Sequence, residues 1–256
     1  MVEQICGGKF LESENIPIRV GSQQIIIDPE NFSPVEKSVF DIDCGSAGSI
    51  ALMAQIALPV AIFRPGETKI NLIGGTDCDF APPIDVQIKI FAELMKKFGV
   101  NLNIRIDQRG FFPVGKGQVE YSFDGISRLN TIVIDPASTA IANVKCWFSD
   151  REKMSQIRSE MDKAKKFVEN FSHEKIKIKS CEVVKTPEKS IGSAAGVYIF
   201  AETEQNFGMS STELAKFDRK KNLKSDGNDL ARSALKRLAE DIGLDEKLLT
   251  PTLSGF

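Results

Sequence analysis

The amino-acid sequence predicts a mixed α/β protein in which helices pack on sheets in α+β layers. One compact stretch, residues 38–124, carries the pattern of a β-α-β-α-β-β unit. After it, strand-like alternation continues around a long charged helix, which predicts a second, smaller α/β domain. Of the 256 residues, 42% are hydrophobic and 27% charged, a composition typical of a globular protein rather than a disordered or coiled-coil chain.

The unit begins with a strand and an apolar helix. Residues 39–43 alternate as a half-buried strand does, and the small residues Gly45–Ser49 follow. The next apolar stretch predicts a helix through Leu58 that Pro59 ends. Because this helix is apolar nearly all round, we expect it to be buried. Upstream, residues 23–27 predict one further strand.

The second half of the unit repeats this order and ends in a hairpin. A strand at 68–73 leads into the turn Gly74-Gly75-Thr76-Asp77 and an amphipathic helix over 83–98, for which Pro83 suits a first-turn position. Strands at 101–108 and 118–123 then complete the β-α-β-α-β-β order.

The pattern changes after Asp124. The long charged helix is predicted over 150–170, with its apolar stripe packed on a sheet. Past Phe207 we expect a polar, lysine-rich connection and a last helix. The remaining predicted elements are strands near 131–134, 141–147, 175–184 and 197–204, and the helix over 226–242.

Charge and cysteine content limit the kinds of site and the cell compartment to be expected. The 33 basic and 35 acidic residues nearly balance, but residues 216–237 hold a basic cluster that can either face phosphate or form a solvated helix face. The five cysteines contain no C-x-x-C pair, which argues against both a disulfide framework and a zinc site. With no membrane-length apolar run and no signal-peptide plan, we expect an intracellular soluble protein.

Several chemistries lack motif support. The sequence contains neither a Walker A pattern nor G-x-G-x-x-G, which argues against P-loop and Rossmann nucleotide sites. The single histidine, His173, lies between a charged helix and a strand, where a solvated surface role is favoured over acid–base or nucleophilic catalysis. Hydrolases of the Ser-His-Asp or Cys-His kind are therefore disfavoured.

Three loops remain as candidates for a site. Gly45–Ser49 can present backbone amides to an anion, or its small residues can simply permit close packing. Gly74–Asp77 can direct Asp77 at a ligand or form a plain turn. Ala81–Pro83 is typical of the start of a helix.

Together these loops amount to a signature. The run GSAGSIALMAQIALPVAIF...GGTDCDFAPP from Gly45 to Pro83, followed at Arg109 by RGFFPVGKG, resembles the RNA 3'-terminal phosphate cyclase family. That family carries G-S/T-A-G-S, L-x-x-Q-x-x-L-P, G-G-T-N/D, A-P-P/Q and R-G-Y/F-Y/F-P-x-G-G-G in this order. The resemblance is strongest over residues 40–120.

The resemblance implies a fold and a domain division. Family members have a large domain of three β-α-β-α-β-β repeats, each like the C-terminal domain of translation initiation factor three, and a smaller inserted α/β domain. On this basis residues 1–124 are expected to form a partial first and a full second repeat. Residues 125–208 are expected to be the insert, and 209–256 a partial return to the large domain.

The resemblance also implies an activity. In the family, a ligase that uses ATP and a divalent metal (Mg or Mn) transfers AMP to an enzyme histidine and then to an RNA 3'-phosphate. The neighbouring 2'-hydroxyl then attacks, giving a 2',3'-cyclic phosphate and releasing AMP. The partners implied are ATP and RNA with a 3'-phosphate end. The location implied is the nucleus if the source is eukaryotic and the cytoplasm otherwise. Gln55 and Pro82 match ATP-site positions of the family.

Departures from the family concern both ends of its active site. The family's upstream G-E/M-G-G-G-Q-x-L-R motif has no match, and Lys247, Thr250 and Pro251 stand where its nucleotide-contacting tyrosine, aspartate and glutamine are expected. Lys116 breaks the glycine triplet, and no residue matches the nucleophilic histidine, so no catalytic residue is assigned. We therefore expect an inactive fragment or, as the alternative, a non-catalytic cyclase-like protein acting in ribosome assembly or RNA binding.

Overall fold

A computed structural model describes residues 36–133, 139–149, 154–204, 206–217 and 222–244, together with the short pieces 4–5, 9–11, 23 and 26–28. Near the start, β1 (Lys9–Leu11) pairs antiparallel with β2 (Ile26–Asp28), which is displaced from the strand predicted at 23–27. The three positions of the last family motif, Lys247, Thr250 and Pro251, lie outside the described residues.

The first layer is the predicted β-α-β-α-β-β unit. Its elements are β3 (Val39–Asp43), α1 (Ile50–Ala61), β4 (Glu67–Gly74), α2 (Ile84–Val86, a π-helical turn at Gln87–Phe91, then Ala92–Lys97), β5 (Asn103–Gly110) and β6 (Gly117–Asp124). The strand order is β3-β4-β6-β5, with β3 parallel to β4 and the other pairs antiparallel. The mixed α/β layered fold is confirmed. The likeness of the unit to translation initiation factor three stays a prediction.

Helix α1 corrects two predictions. Pro59 does not end the helix but lies inside its last turn, and the helix continues to Ala61. One face of the helix is not buried, since Leu52 and Ile56 are exposed and Phe63, just beyond the end, continues the same stripe. The opposite face packs into the core of the layer, so the apolar sequence marks a helix with two apolar faces of which one is covered.

The second layer is a four-stranded sheet with two helices. Its elements are β7 (Ala140–Phe148), α3 (Met154–Glu169), β8 (Ile176–Lys185), β10 (Ala195–Thr203), β11 (Gly208–Leu214) and α4 (Gly227–Asp241). The strand order is β11-β10-β7-β8. Strand β11 was missed because its sequence, GMSSTEL, has few apolar residues. Residues 131–133 form no strand, contrary to the prediction, and 134 lies outside the described residues.

The chain crosses between the layers more than once. Strand β9 (Lys189–Ile191), also unpredicted, pairs parallel with β5 and so extends the first sheet. Helix α4 packs with α3 and the second sheet in one apolar cluster. The domain boundaries predicted at 124/125 and 208/209 stay predictions. No helix in the described part of the chain is long and apolar enough to cross a membrane.

Candidate functional site

Three loops that carry the sequence motifs meet at one end of the first sheet. They follow β3, follow β4 and join β5 to β6, and residues 44–49, 75–83 and 111–116 are called the loop cluster below. The amide of Gly75 donates to the carbonyl of Gly48 at 2.8 Å, and the amide of Thr76 donates to the carbonyl of Gly110 at 2.9 Å. Motifs that are far apart in sequence therefore form one structure.

Glycine is required where these loops touch. A Cβ atom on Gly75 would lie 2.5 Å from the carbonyl oxygen of Ala47, and one on Gly115 would lie 2.6 Å from the Cα of Ala47. Both contacts are with backbone, which cannot move aside cheaply. The amides of Gly45 and Gly48 already donate to Asp43 Oδ1 and Ser46 Oγ. Of the two interpretations of the small-residue run, close packing is the one this geometry favours.

Lys116, which breaks the family's glycine triplet, has a structural partner. Its backbone has a φ of 60°, and its ammonium lies 2.9 Å from Asp43 Oδ2. The hydrogen bond from the Gly45 amide, and then the one from Lys116, lower the pKa of the Asp43 carboxyl. The pair thus connects the end of β3 to the turn between β5 and β6.

Behind the loops lies a buried ionic cluster centred on Arg109. The guanidinium is 1% exposed and contacts three carboxylates, with Asp85 Oδ2 at 2.6 Å, Glu188 Oε2 at 3.0 Å and Asp77 Oδ2 at 3.5 Å. Lys145 reaches Asp85 Oδ1 at 3.2 Å. All three carboxylates share Arg109, and in the described part of the chain Asp85 alone has Lys145 as a second positive partner.

Asp77 and Asp85 respond to this cluster in opposite directions. Burial raises the pKa of Asp77, and the attraction of Arg109 does not offset it. Burial also acts on Asp85, but Arg109 and Lys145 together outweigh it and lower its pKa. Burial acts to lower the pKa of the Arg109 guanidinium, but the three carboxylates around it outweigh burial and raise that pKa. Asp77 is thus the less well compensated carboxylate of the two.

Sequence analysis named Asp77 and Arg109 as motif positions but missed their partners. Asp85 lies in the first turn of α2, two residues after the Ala81–Pro83 motif. Glu188 and Tyr198 come from the second half of the chain, and no spacing in the sequence connects them to either motif residue. Only the folded arrangement of the two layers brings them together.

Of the two predicted ATP-site residues, Pro82 lies in the loop cluster and Gln55 lies on α1, the helix that follows its first loop. Gln55 is exposed on α1, and its side chain has no hydrogen-bond partner among the described residues. Because Pro59 has no N–H, it cannot bond the carbonyl of Gln55 four residues before it. Pro82 is half-buried and immediately precedes Pro83, the N-cap of α2. No described contact joins Gln55 to Pro82, so their role as one site stays a prediction.

Two residues of the loop cluster have exposed aromatic side chains. The Phe80 ring is fully exposed, with a backbone φ of 61°, and Phe112 is 82% exposed before a cis bond to Pro113. Flat apolar groups in such positions can stack against a nucleobase or pack on another protein segment.

Two other features lie away from the loop cluster. His173 precedes β8 and accepts a hydrogen bond from the Lys175 amide at 3.1 Å, at the far end of the second sheet from Glu188. The length of β8 separates those ends by about 30 Å. The described residues contain no group of three or more His, Cys, Asp or Glu side chains that could hold a metal. A cleft of about 750 Å³ lies between α2 and the β10–β11 hairpin, and neither Gln55 nor Pro82 lines it.

Comparison with known proteins gives a consistent result. A family model described as RNA 3'-terminal phosphate cyclase matches residues 1–222. The probable RNA 3'-terminal phosphate cyclase of Dictyostelium discoideum is 29% identical over 233 residues, which cover 90% of this chain and 53% of that protein. The RNA 3'-terminal phosphate cyclase of Methanococcoides burtonii is 31% identical over 241 residues, which cover 91% of this chain and 66% of that protein.

A third relative matches over a shorter length. The RNA 3'-terminal phosphate cyclase of Ignicoccus hospitalis is 33% identical over 114 residues, which cover 44% of this chain and 31% of that protein. The chain spans about half to two thirds of the length of the two relatives that match most of it. Since the family model matches residues 1–222 of 256, the chain belongs to the RNA 3'-terminal phosphate cyclase family.

Proposed function

We propose that the loop cluster binds ATP and the 3'-phosphate end of an RNA, as the ligand-binding part of an ATP-dependent RNA 3'-phosphate cyclase. The observation that carries this proposal is the meeting of three motif loops at one end of the first sheet, in a chain that matches the family model. The family reaction would convert the 3'-phosphate to a 2',3'-cyclic phosphate and release AMP and pyrophosphate.

The side chains around the loops suit these ligands. The exposed amide of Gln55 can both donate to and accept from a nucleotide. Pro82 offers a flat apolar surface to adenine, and the exposed ring of Phe80 or Phe112 can stack on an unpaired base of the RNA. The loop amides of Gly45 and Gly48 are already hydrogen-bonded, so side chains rather than these amides would bind the ligand.

The described residues lack a group of three potential metal ligands, so they do not fit a protein site for the divalent metal expected from the family, and no step of the proposal goes through a metal. Experiments on the nucleotide still include magnesium, because the free ion accompanies ATP.

One observation favours a second candidate function, binding without catalysis. His173 is the single histidine of the sequence, and it lies at the opposite end of the second sheet from the layer contact with Arg109. A histidine there cannot receive AMP from a nucleotide held at the loop cluster, because in-line transfer needs the reacting atoms about 3 Å apart. On this account the chain is a cyclase-like RNA-binding protein.

The deciding experiment uses ATP labelled at the α-phosphate, magnesium and an RNA with a 3'-phosphate. We expect the chain to retain ATP in equilibrium dialysis, and Gln55→Ala and Pro82→Ala each to weaken retention by about tenfold. Gln156→Ala and Pro65→Ala are matched controls, because both residues are exposed and lie away from the loop cluster. No ATP retention by folded protein, or equal losses in the controls, would refute the proposed site.

Products separate the two candidate functions. A protein–AMP adduct on a denaturing gel together with cyclic-phosphate RNA would establish catalysis by this chain. RNA and ATP binding without either product would establish the binding function. If an adduct forms, mapping it in His173→Ala tests whether that histidine carries AMP after all.

A further inference from the structure

Two side chains of the second half of the chain reach the motif residues of the first layer. Tyr198, on β10, donates a hydrogen bond to Asp77 Oδ1 at 2.5 Å. Glu188, just before β9, accepts from Arg109 Nε at 3.0 Å and from its Nη2 at 3.4 Å. Tyr198 and Asp77 are fully or almost fully buried, so water does not replace a lost partner.

Backbone and aromatic contacts fix the same junction. Strand β9 pairs with the end of β5, where the amide of Phe111 donates to the carbonyl of Ile191 at 3.0 Å. The ring of Trp147 lies between those of Phe111 and Tyr198, with centroid distances of 6.0 Å and 5.0 Å. Tyr198 therefore has little freedom to turn away from Asp77.

Asp77 depends on these donors. It receives hydrogen bonds from the Thr76 hydroxyl at 2.6 Å and from Tyr198, while Arg109 is 3.5 Å away and shared with two other carboxylates. Burial raises the pKa of Asp77, so its ionised form is poorly compensated even with every donor present. Removing one donor is expected to displace the loop after β4 before it unfolds the sheet.

The position of that loop sets the rest of the cluster. Thr76 binds the backbone of Gly110, Gly75 binds that of Gly48, and Ile84 at the start of α2 donates to the carbonyl of Thr76. A shift of Asp77 is thus transmitted to Pro82, to the turn after β5 and to the loop that starts α1.

We propose that Tyr198 and Glu188 are positioning residues for the loop cluster, holding Asp77 and Arg109 so that the second layer is a working part of the ligand site. The expected change in ATP binding rests on the proposed function, whereas the expected change in amide hydrogen exchange does not. It assigns the second half of the chain a defined task in binding: to keep the motif loops in one arrangement.

The test compares two buried tyrosines. Tyr198→Phe removes the donor to Asp77, whereas Tyr121→Phe removes a hydroxyl that has no hydrogen-bond partner among the described residues. We expect Tyr198→Phe to speed amide hydrogen exchange about tenfold in peptides covering 74–83 and 109–117, and to leave the β7 peptide 139–149 unchanged. It should also weaken ATP binding about tenfold. Tyr121→Phe should change neither quantity.

Glu188 supplies an independent pair of variants. Glu188→Gln keeps one carbonyl acceptor for the Arg109 guanidinium, whereas Glu188→Ala keeps none. We expect faster exchange in the same loop peptides for Glu188→Ala and partial rescue in Glu188→Gln. These variants decide the inference if Tyr198→Phe fails to fold.

The outcomes are separable. Faster exchange across both layers alike would reduce Tyr198 to a general stability role and overturn the inference, and so would no change in the loop peptides. If the wild-type chain retains no ATP, the proposed function fails, and the exchange measurement still decides whether Tyr198 and Glu188 position the loops.

Discussion

The two layers of this protein are held together by different kinds of contact. At its loop end the first layer depends on glycine backbone in close approach and on a buried ionic cluster around Arg109. The second layer has an ordinary apolar core between one face of its sheet and two helices, with Ile157, Met161 and Leu235 among its members. Apolar cores accept many sequences of similar volume, whereas buried charges and glycine contacts do not. The family signature accordingly lies in the first layer.

Removal of Arg109 should have the largest effect. Arg109→Met leaves Asp77, Asp85 and Glu188 buried or half-buried with Lys145 as their remaining described cationic partner. The free energy of unfolding should fall by about 3–5 kcal/mol in urea denaturation. Arg105→Met is the control on the same strand: its side chain is exposed and bridges Asp107 and Glu120, so the loss should be about 1 kcal/mol or less.

Equal losses in the free energy of unfolding of Arg109→Met and Arg105→Met would contradict the contrast drawn between the two layers. They would mean that the buried cluster contributes no more than a surface ion pair, and that the first layer is held by its apolar core alone. The m-value should stay unchanged in both variants, because neither change alters the surface exposed on unfolding.

A methyl group on Gly110 should have the next largest effect. Its Cβ would lie 2.1 Å from the amide nitrogen of Gly117 and 2.3 Å from the carbonyl oxygen of Gly115, both on the partner strand or its turn. We expect Gly110→Ala to lower the melting temperature by an amount that corresponds to about 2–3 kcal/mol. In the second layer, Gly208→Ala meets only the flexible end of Ile90 at 2.8 Å and should cost less than about 1 kcal/mol. A larger loss of stability in Gly208→Ala than in Gly110→Ala would refute the view that glycine contacts matter more in the first layer than in the second.

The sequence predicts most of the fold because its clearest hydrophobic patterns match the faces that are buried in the structure. The alternation in β4 and β6 matches one buried face, and the helical spacing in α2 and α3 matches their contacts with the sheets. Strands β9 and β11 could not be predicted, since the first has three residues and the second is mostly polar. The exposed stripe on α1 was not predicted, because apolar residues show that a helix face can be buried but not that another element packs on it.

The candidate site was predicted in part. Motif order identified the loops that meet, and two of these loops carry a motif glycine, Gly75 or Gly115, where they contact the backbone of Ala47. Glu188 and Tyr198 were missed because their relation to Asp77 and Arg109 depends on how the two layers pack, which no local pattern encodes. The pairing of Gln55 with Pro82 stays a prediction drawn from the family.

A smaller difference between the layers is expected in the alkylation rates of their cysteines. Burial raises the pKa of the Cys78 thiol in the loop cluster to about 11, from an ordinary value of 9.0. A hydrogen bond from the Cys146 thiol lowers the pKa of Cys181 in the second layer. The thiolate is the nucleophile, so at pH 8 iodoacetamide should alkylate Cys181 more than about tenfold faster than Cys78. Peptide mass spectrometry over time measures both rates, and faster alkylation of Cys78 would contradict the expected effect of burial on the Cys78 thiol.

The smallest effect is expected at Tyr121, in the apolar core of the first layer. Its hydroxyl is buried without a hydrogen-bond partner in the described part of the chain, and burial raises its pKa. An unpaired buried hydroxyl costs its desolvation and gains nothing in return, so Tyr121→Phe should leave the free energy of unfolding unchanged or raise it by up to about 1 kcal/mol. A loss of more than about 1 kcal/mol in urea denaturation would mean that the hydroxyl has a stabilising partner. The difference between the two tyrosines would then no longer isolate the hydrogen bond that joins Tyr198 to Asp77.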